Sequence, residues 1–245
     1  MDNATASSSP AVSKPNVVTA IVSILVYLYF FPVFLLWVGF LAPYRSLPSS
    51  LEKIVPYNIE TSPVSETNSA AIIDTLLLGA FIVPHSFFAR TSVKKRMGLP
   101  KTLERSFFVL QAAIFMHLQI YFWQNIDGPA LWNVQSNDQL SGAILAVFLS
   151  AFLFLFSATF AIDHFSLFGL TQAFGVDINN KIGLGTSEGA DGFVVRWHYS
   201  IVAHPIMTGV LIMCWATPLM TMSRLLFAGI NTAWILGAVI HLEGK

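Results

Sequence analysis

Long apolar runs separated by short polar stretches dominate this chain. Crossing a bilayer takes roughly 20 mainly apolar residues at about 1.5 Å rise each. Six segments qualify, some only with their flanks: Val17–Ala42, Ala70–Ala89, Ser106–Trp123, Ser141–Ile162, Val194–Thr217 and Leu219–Leu242. The last two meet at Ala216-Thr217-Pro218, which predicts a tight antiparallel hairpin. The longest polar stretches, Pro43–Ser69 and Asp163–Phe193, leave no room for a soluble domain. Residues 1–16, with Ser7-Ser8-Ser9-Pro10, read as a disordered tail. The apolar run after them is too long for a signal-peptide core and lacks a clear small-residue cleavage site. The expectation is an all-α integral membrane protein of about six transmembrane helices, with residues 17–245 forming one membrane domain.

Composition strengthens that reading. Only 11% of the residues are charged and 55% are hydrophobic, whereas a soluble domain carries about 25% charged residues. Too little polar surface exists to face water. A formal net charge of zero gives no general basicity for nucleic acid. The lone cysteine, Cys214, excludes an intramolecular disulfide and any CxxC metal site, so no metal is expected and helix packing is its natural role.

Charge distribution sets an orientation. Arg90, Lys94, Lys95, Arg96, Lys101 and Arg105 cluster in one loop, while Asn125–Leu140 has no Lys or Arg and carries Asp127 and Asp138. Positive residues favour the cytoplasmic side, so the 90–105 loop and, by alternation, both termini are expected there. The in-membrane polar residues then collect at that same face. His85 and Arg90 end the second segment, and Glu104 and Arg105 begin the third. Asp163 and His164 end the fourth, with Gln172 shortly after, and His241 and Glu243 end the sixth. His198 lies close by, and only His117 is mid-helix. Charges in the apolar slab cost about 2.5–3.5 kcal/mol on insertion scales and mark function by default. Lys94, Lys95, Arg96 and Lys101 read instead as side chains snorkelling to the interface.

Val202-Ala203-His204-Pro205 interrupts the fifth segment. Proline lacks an N–H and its ring clashes with the preceding turn. A helix starting at Pro205 has only 13 residues before Pro218, too few to span. The segment is therefore either kinked or preceded by an embedded arm from about Val194. Freed backbone groups at that depth are tolerated in protein interior or at a cavity. A helix start aimed into a cavity offers N–H donors and a positive dipole end to a carboxylate; a purely structural kink is the alternative. Gly183–Gly189 reads as a flexible loop, Gly229, Ala233 and Gly237 as a close-packing stripe, and Tyr27–Phe31 with Pro32 and Trp37 as lipid-facing bulk.

Several stretches carry a family resemblance. Asp74-Thr75-Leu76-Leu77-Leu78, with His85-Ser86 and Ala89-Arg90, resembles the second-helix motif of the nurim and methanethiol S-methyltransferase family. Glu104-Arg105-Ser106, Phe108-Val109-Leu110 and Trp123-Gln124 are similar to its third-helix motif. Ile162-Asp163-His164-Phe165, Leu167-Phe168-Gly169-Leu170 and Gln172 are similar to its fourth, where Asn is commoner than Asp at the second position. His204-Pro205 with Gly209, Trp215-Ala216-Thr217-Pro218 and Leu242-Glu243 resembles its C-terminal core. That core is also similar to the isoprenylcysteine methyltransferase group, where an Arg-His-Pro helix start and a glutamate pair help to hold S-adenosylmethionine.

The resemblance implies an S-adenosylmethionine-dependent membrane methyltransferase acting on a small thiol, giving dimethyl sulfide from methanethiol. A thiol mostly protonated at neutral pH needs a base, which the resemblance offers as His85, His164 or His204. It implies a cofactor site from His204, Pro205, Gly209, Glu243, Arg90, Arg105 and Gln172. The chain departs from the pattern at Ala203, where the arginine stands, at Gly244, the second glutamate, and at Pro84, often Gln. Arg196 is a further substitute for the missing charge. A non-catalytic nurim-like protein or decayed homologue is the alternative, favoured by Ala203. A small transporter is a third reading, but beyond Gln111, His117 and Gln119 it finds few polar residues near mid-bilayer.

Overall fold

The structure, a computed structural model, describes residues 16–43, 57–183 and 197–243. Apart from Asn16, the expected N-terminal tail lies outside those residues, as does the 183–189 loop beyond Gly183. The chain forms helices α1 (Val17–Leu41), α2 (Thr67–Ala89), α3 (Thr91–Met97), α4 (Lys101–Phe122) and α5 (Asp138–Ile162). Short helices α6 (His164–Leu167), α7 (Leu170–Phe174) and α8 (Ile178–Lys181) follow. A 3-10 turn at Trp197–Ser200 then leads to α9 (Pro205–Trp215) and α10 (Met222–Glu243).

Among the described residues, four helices are long and apolar enough to cross a membrane, namely α1, α2, α5 and α10 through His241, rather than the six expected. Two segments account for the difference. Helix α4 is 22 residues long, sufficient for about 33 Å, but Lys101, Glu104 and Arg105 in its first turns and Gln111, His117 and Gln119 further along dilute its apolar character. Helix α9 is only 11 residues long, about 16 Å at the helical rise. It starts at Pro205, with His204 as its N-cap at φ −129° and ψ 69°. Proline suits the first helical position, where its missing N–H has no intrahelical partner to lose. The proline thus opens a helix instead of kinking one. The expected α9–α10 hairpin is present, and its turn includes a two-residue strand.

The end of the bundle away from Arg90–Arg105 is tied together by small β pairings and buried polar groups. Strand β1 (Val64–Ser65) runs parallel to β2 (Asn125–Ile126), and β3 (Trp132–Asn133) pairs antiparallel with β4 (Leu219–Met220). The last carbonyls of α1 have no helical partners. Arg224, from the first turn of α10, donates to Leu41 O at 2.8 Å and Ala42 O at 3.0 Å, and pairs with Glu60 at 2.9 Å. Asn58 Nδ2 donates to Gly39 O and Ala42 O, both at 2.9 Å. The buried Asp74 accepts from the backbone N–H of Gln124 at 2.9 Å, anchoring α2 to the segment after α4. Trp37, Phe40, Trp123 and Phe227 pack edge and face beneath this layer.

At the basic end, Ser23 on α1 and Ser106 on α4 share a hydrogen bond of 2.7 Å. Helix α9 lies closely against α5. A Cβ on Gly209 would come within 2.7 Å of Leu155 Cβ and 3.0 Å of Ala151 O, so only glycine permits that approach.

Candidate functional site at the basic end

His85 ends α2 inside a box of aromatic rings from three helices. Phe81, one turn earlier, stacks on it at 5.1 Å between centroids; Phe108 of α4 lies at 4.7 Å and Trp234 of α10 at 5.6 Å. Trp234 donates its indole N–H to Ser86 Oγ at 3.0 Å. The Nδ1 atom of His85 is buried without a hydrogen-bond partner, whereas Nε2 is not sealed in this way. Lys94 of α3 lies over the outer side of the box, its ammonium 5.9 Å from the Phe108 ring centre. Burial and the neighbouring Arg105 charge push Lys94 below the usual lysine range, with Glu104 acting the other way. Lys94 is thus half-buried against the box and does not simply snorkel.

His164 occupies a different environment. Its ring is 2% exposed and stacks on Phe160 at 4.1 Å, with Tyr27, Phe156, Phe165 and Phe168 around it. Nδ1 lies 2.8 Å from Thr159 Oγ1, and Nε2 lies 3.0 Å from the Tyr27 hydroxyl. The Thr159 hydroxyl donates its single proton to Phe156 O at 2.6 Å. It therefore accepts from Nδ1–H, and the neutral imidazole must receive the Tyr27 O–H at Nε2. Burial pushes His164 down to about 4. Tyr27, read from sequence as lipid-facing, is instead the partner of a buried histidine.

The other candidates are spread around the first turns of α4. Gly169, with φ +88°, sits directly against them, and a Cβ there would fall 2.7 Å from Ser106 Oγ and 3.2 Å from Arg105 Cβ. Gln172 donates to Ser166 O at 3.2 Å and Ser166 Oγ at 2.8 Å, which leaves its buried Oε1 without a partner. Arg90 is an exposed residue at the α2–α3 junction. Among the described residues, Arg90, Lys94 and Arg105 make no ion pair. His204 accepts from Thr208 N at 2.9 Å and Thr208 Oγ1 at 3.0 Å through its carbonyl, holding the first turn of α9. Pro205 is buried there, and Gly209 is committed to the α5 contact. Glu243 is the last residue of α10, but its side chain lies outside the described residues, as do Gly244 and Arg196.

The structure therefore joins His85 to Lys94 through Phe108 and places Arg105 on the same α4 turns, while His164 sits apart in its own box. Phe81, Phe108, Trp234, Ser86, Tyr27 and Thr159 were not singled out as site residues from sequence. Phe81 had a local signal in its i,i+4 spacing to His85, and Ser86 and Phe108 stood within quoted motifs. A groove of about 390 Å³ lined by Trp132, Val134, Leu140, Ile144, Val147 and Trp215 lies at the opposite end and contains none of the candidate residues.

Over 226 residues, 91% of this chain and 80% of the relative, the sequence is 36% identical to a methanethiol S-methyltransferase of a Pseudomonas species. The chain belongs to the methanethiol S-methyltransferase family. A second family member, from Mycobacterium tuberculosis, is 33% identical over 76% of this chain and 74% of its own length. Nurim of Xenopus laevis is 28% identical over 85% of this chain and 73% of its own. No family model matches the chain, and no solved structure matches it. Membership in the methanethiol S-methyltransferase family makes this a membrane methyltransferase fold, with a methyl donor implied by the relatives' name.

Proposed function

We propose that the chain methylates a small thiol, taking methanethiol to dimethyl sulfide, with S-adenosylmethionine as donor at a basic end that faces the cytoplasm. The observation that carries this is the 36% identity to a methanethiol S-methyltransferase over 91% of the chain. The residues at the basic end fit the donor. Lys94 and Arg105 make no ion pair among the described residues, and Gln172 Oε1 is a buried acceptor without a donor.

S-adenosylmethionine, when bound, would supply an electrophilic methyl group, the new sulfur–carbon bond forming in line as the sulfonium–carbon bond breaks and S-adenosylhomocysteine serving as the leaving group. His85 takes the thiol proton at Nε2, the nitrogen left open by its ring box. Lys94 and Arg105, with Arg90 nearby, hold the donor's carboxylate and replace the arginine absent at Ala203. The α9 N-terminus at His204 and Pro205 adds its backbone donors and dipole. Gln172 accepts from an amino group of the donor, and Glu243 is kept as the family resemblance's partner for its ammonium. Gly209 acts at one remove, by fixing where that helix start lies.

Headspace dimethyl sulfide above membranes supplied with methanethiol and S-adenosylmethionine tests the reading. Product above an empty-vector control, lost in His85→Gln and reduced in His204→Ala, is the expected result. Silence in both the native chain and an Ala203→Arg variant would favour the second reading, a non-catalytic nurim-like protein, for which Ala203 and the Nurim similarity speak.

A further inference from the structure

Of the three rings that box His85, only Trp234 also bonds to the polypeptide next to it. Its indole N–H reaches Ser86 Oγ at 3.0 Å, and Ser86 follows His85 directly on α2. Its ring stands at 88° to the imidazole and at 89° to Phe81, which itself stacks on His85 at 24°. The indole is therefore held at its nitrogen by Ser86 and along its ring by Phe81. An aromatic wall held at both ends restrains the tilt of the imidazole between Phe81, Phe108 and Trp234.

That orientation is costly. Nδ1 of His85 is buried without a partner, and a buried polar atom left unsatisfied loses its hydration with nothing in return. Rotating the ring by half a turn would exchange Nδ1 with a carbon, but it would exchange Nε2 with a carbon as well and withdraw that nitrogen from where it now lies. An orphaned buried nitrogen calls for an explanation in strain or chemistry. Here the explanation is that the box holds Nε2 toward the open side and accepts the cost at Nδ1.

We infer that Trp234 is a positioning residue for His85, with the Trp234–Ser86 hydrogen bond as the latch that keeps Nε2 presented for proton transfer. The inference rests on the proposed role of His85 as the base. Neither Trp234 nor Ser86 touches the reacting atoms in this account; both act through the imidazole.

The test uses the purified full-length chain and two readouts, one independent of turnover. Trp234→Phe keeps a ring and removes the N–H; Ser86→Ala removes the acceptor; Ser86→Thr keeps a hydroxyl. Carbethoxylation of His85 by diethylpyrocarbonate, followed by peptide mass spectrometry, reports access to its nitrogens, with the exposed His241 as the internal standard. Trp234→Phe and Ser86→Ala should each raise the His85 rate several-fold relative to His241, and the double variant should go no further. Turnover should fall on the order of tenfold with an unchanged KM for the thiol, as misorientation of a reacting group predicts. Ser86→Thr should stay near the native chain in both readouts. Additive effects of the two single substitutions, or an unchanged His85 rate, overturn the latch. Altered His85 modification in a protein that never turns over methanethiol keeps the latch as a structural fact and sinks the thiol methyltransferase reading instead.

Discussion

Tyr27 donates its hydroxyl proton to Nε2 of His164 across 3.0 Å, so the one basic nitrogen of that histidine is already engaged. The other nitrogen is committed to Thr159. His164 is thus a candidate base whose hydrogen-bonding capacity is fully used inside the protein.

Tyr27→Phe removes one hydrogen bond to a buried acceptor, a loss of about 1 kcal/mol or somewhat more. Thermal unfolding in detergent should therefore shift down by a few degrees while methyl transfer stays within a factor of about two or three, the span of a 0.5 kcal/mol barrier change. His85→Gln should do the reverse, removing activity with little change in stability. A large activity loss in Tyr27→Phe at native-like stability would return His164 to the chemistry.

The same buried histidine makes stability depend on pH. His164 titrates at about 4 in the folded chain against an ordinary value of 6.5. Above 6.5 both states are neutral and the group contributes no slope. Between 6.5 and about 4 the unfolded chain binds a proton that the folded chain does not, so stability falls as pH falls, then levels off below 4. Asp163, raised mainly by burial and further by Asp177, works in the opposite sense above the usual carboxylate range. Comparing the native chain with His164→Asn isolates the histidine: the difference between their unfolding temperatures should narrow as pH drops from 7 to 4. A constant difference would mean His164 titrates normally.

How much of this was legible beforehand depended on the range of the signal. Continuous apolar runs announced α1, α2, α5 and α10, because a bilayer demands length and apolarity together. The same rule overcounted at α9, whose composition is apolar enough for a span although its 11 residues are not long enough. His204-Pro205 was readable as a break because proline acts on its own turn. The environments of His85 and His164 were not readable. Tyr27 lies 137 positions from His164, and Trp234 lies 148 from Ser86. No local spacing encodes such pairs. Arg224 was passed over for the same reason: its carbonyl partners belong to a helix end about 180 residues earlier.

Gly209 gives a sharper test of how α9 is placed. Alanine there would set its Cβ 2.7 Å from Leu155 Cβ and 3.0 Å from Ala151 O. Overpacking of this kind costs about 1–3 kcal/mol, and it also pushes the His204 helix start away from α5. Gly209→Ala should lower stability and raise the KM for the donor together. Adding Leu155→Ala should not restore either, since the atoms in the way are a Cβ and a backbone oxygen that alanine retains. Rescue by that second change would show that the side chain of Leu155, and not the helix approach, sets the limit.

The last prediction concerns the charge missing at Ala203. Lys94 is held half-buried over Phe108 beside Arg105, and burial and that neighbouring cation both disfavour its charged form. Two cations kept close, with Glu104 offsetting them only in part, are stabilised by an arriving anion, an attraction that high salt screens. If they hold the donor's carboxylate, Lys94→Met should raise the KM for S-adenosylmethionine on the order of tenfold, equivalent to about 1.4 kcal/mol, and leave turnover at saturation unchanged. Arg105→Met should act in the same direction, and the KM of the native chain should climb with ionic strength more steeply than that of Lys94→Met. An equal salt dependence in both proteins, with no change in KM, would place the carboxylate elsewhere and leave the basic loop as an orienting feature of the membrane topology alone.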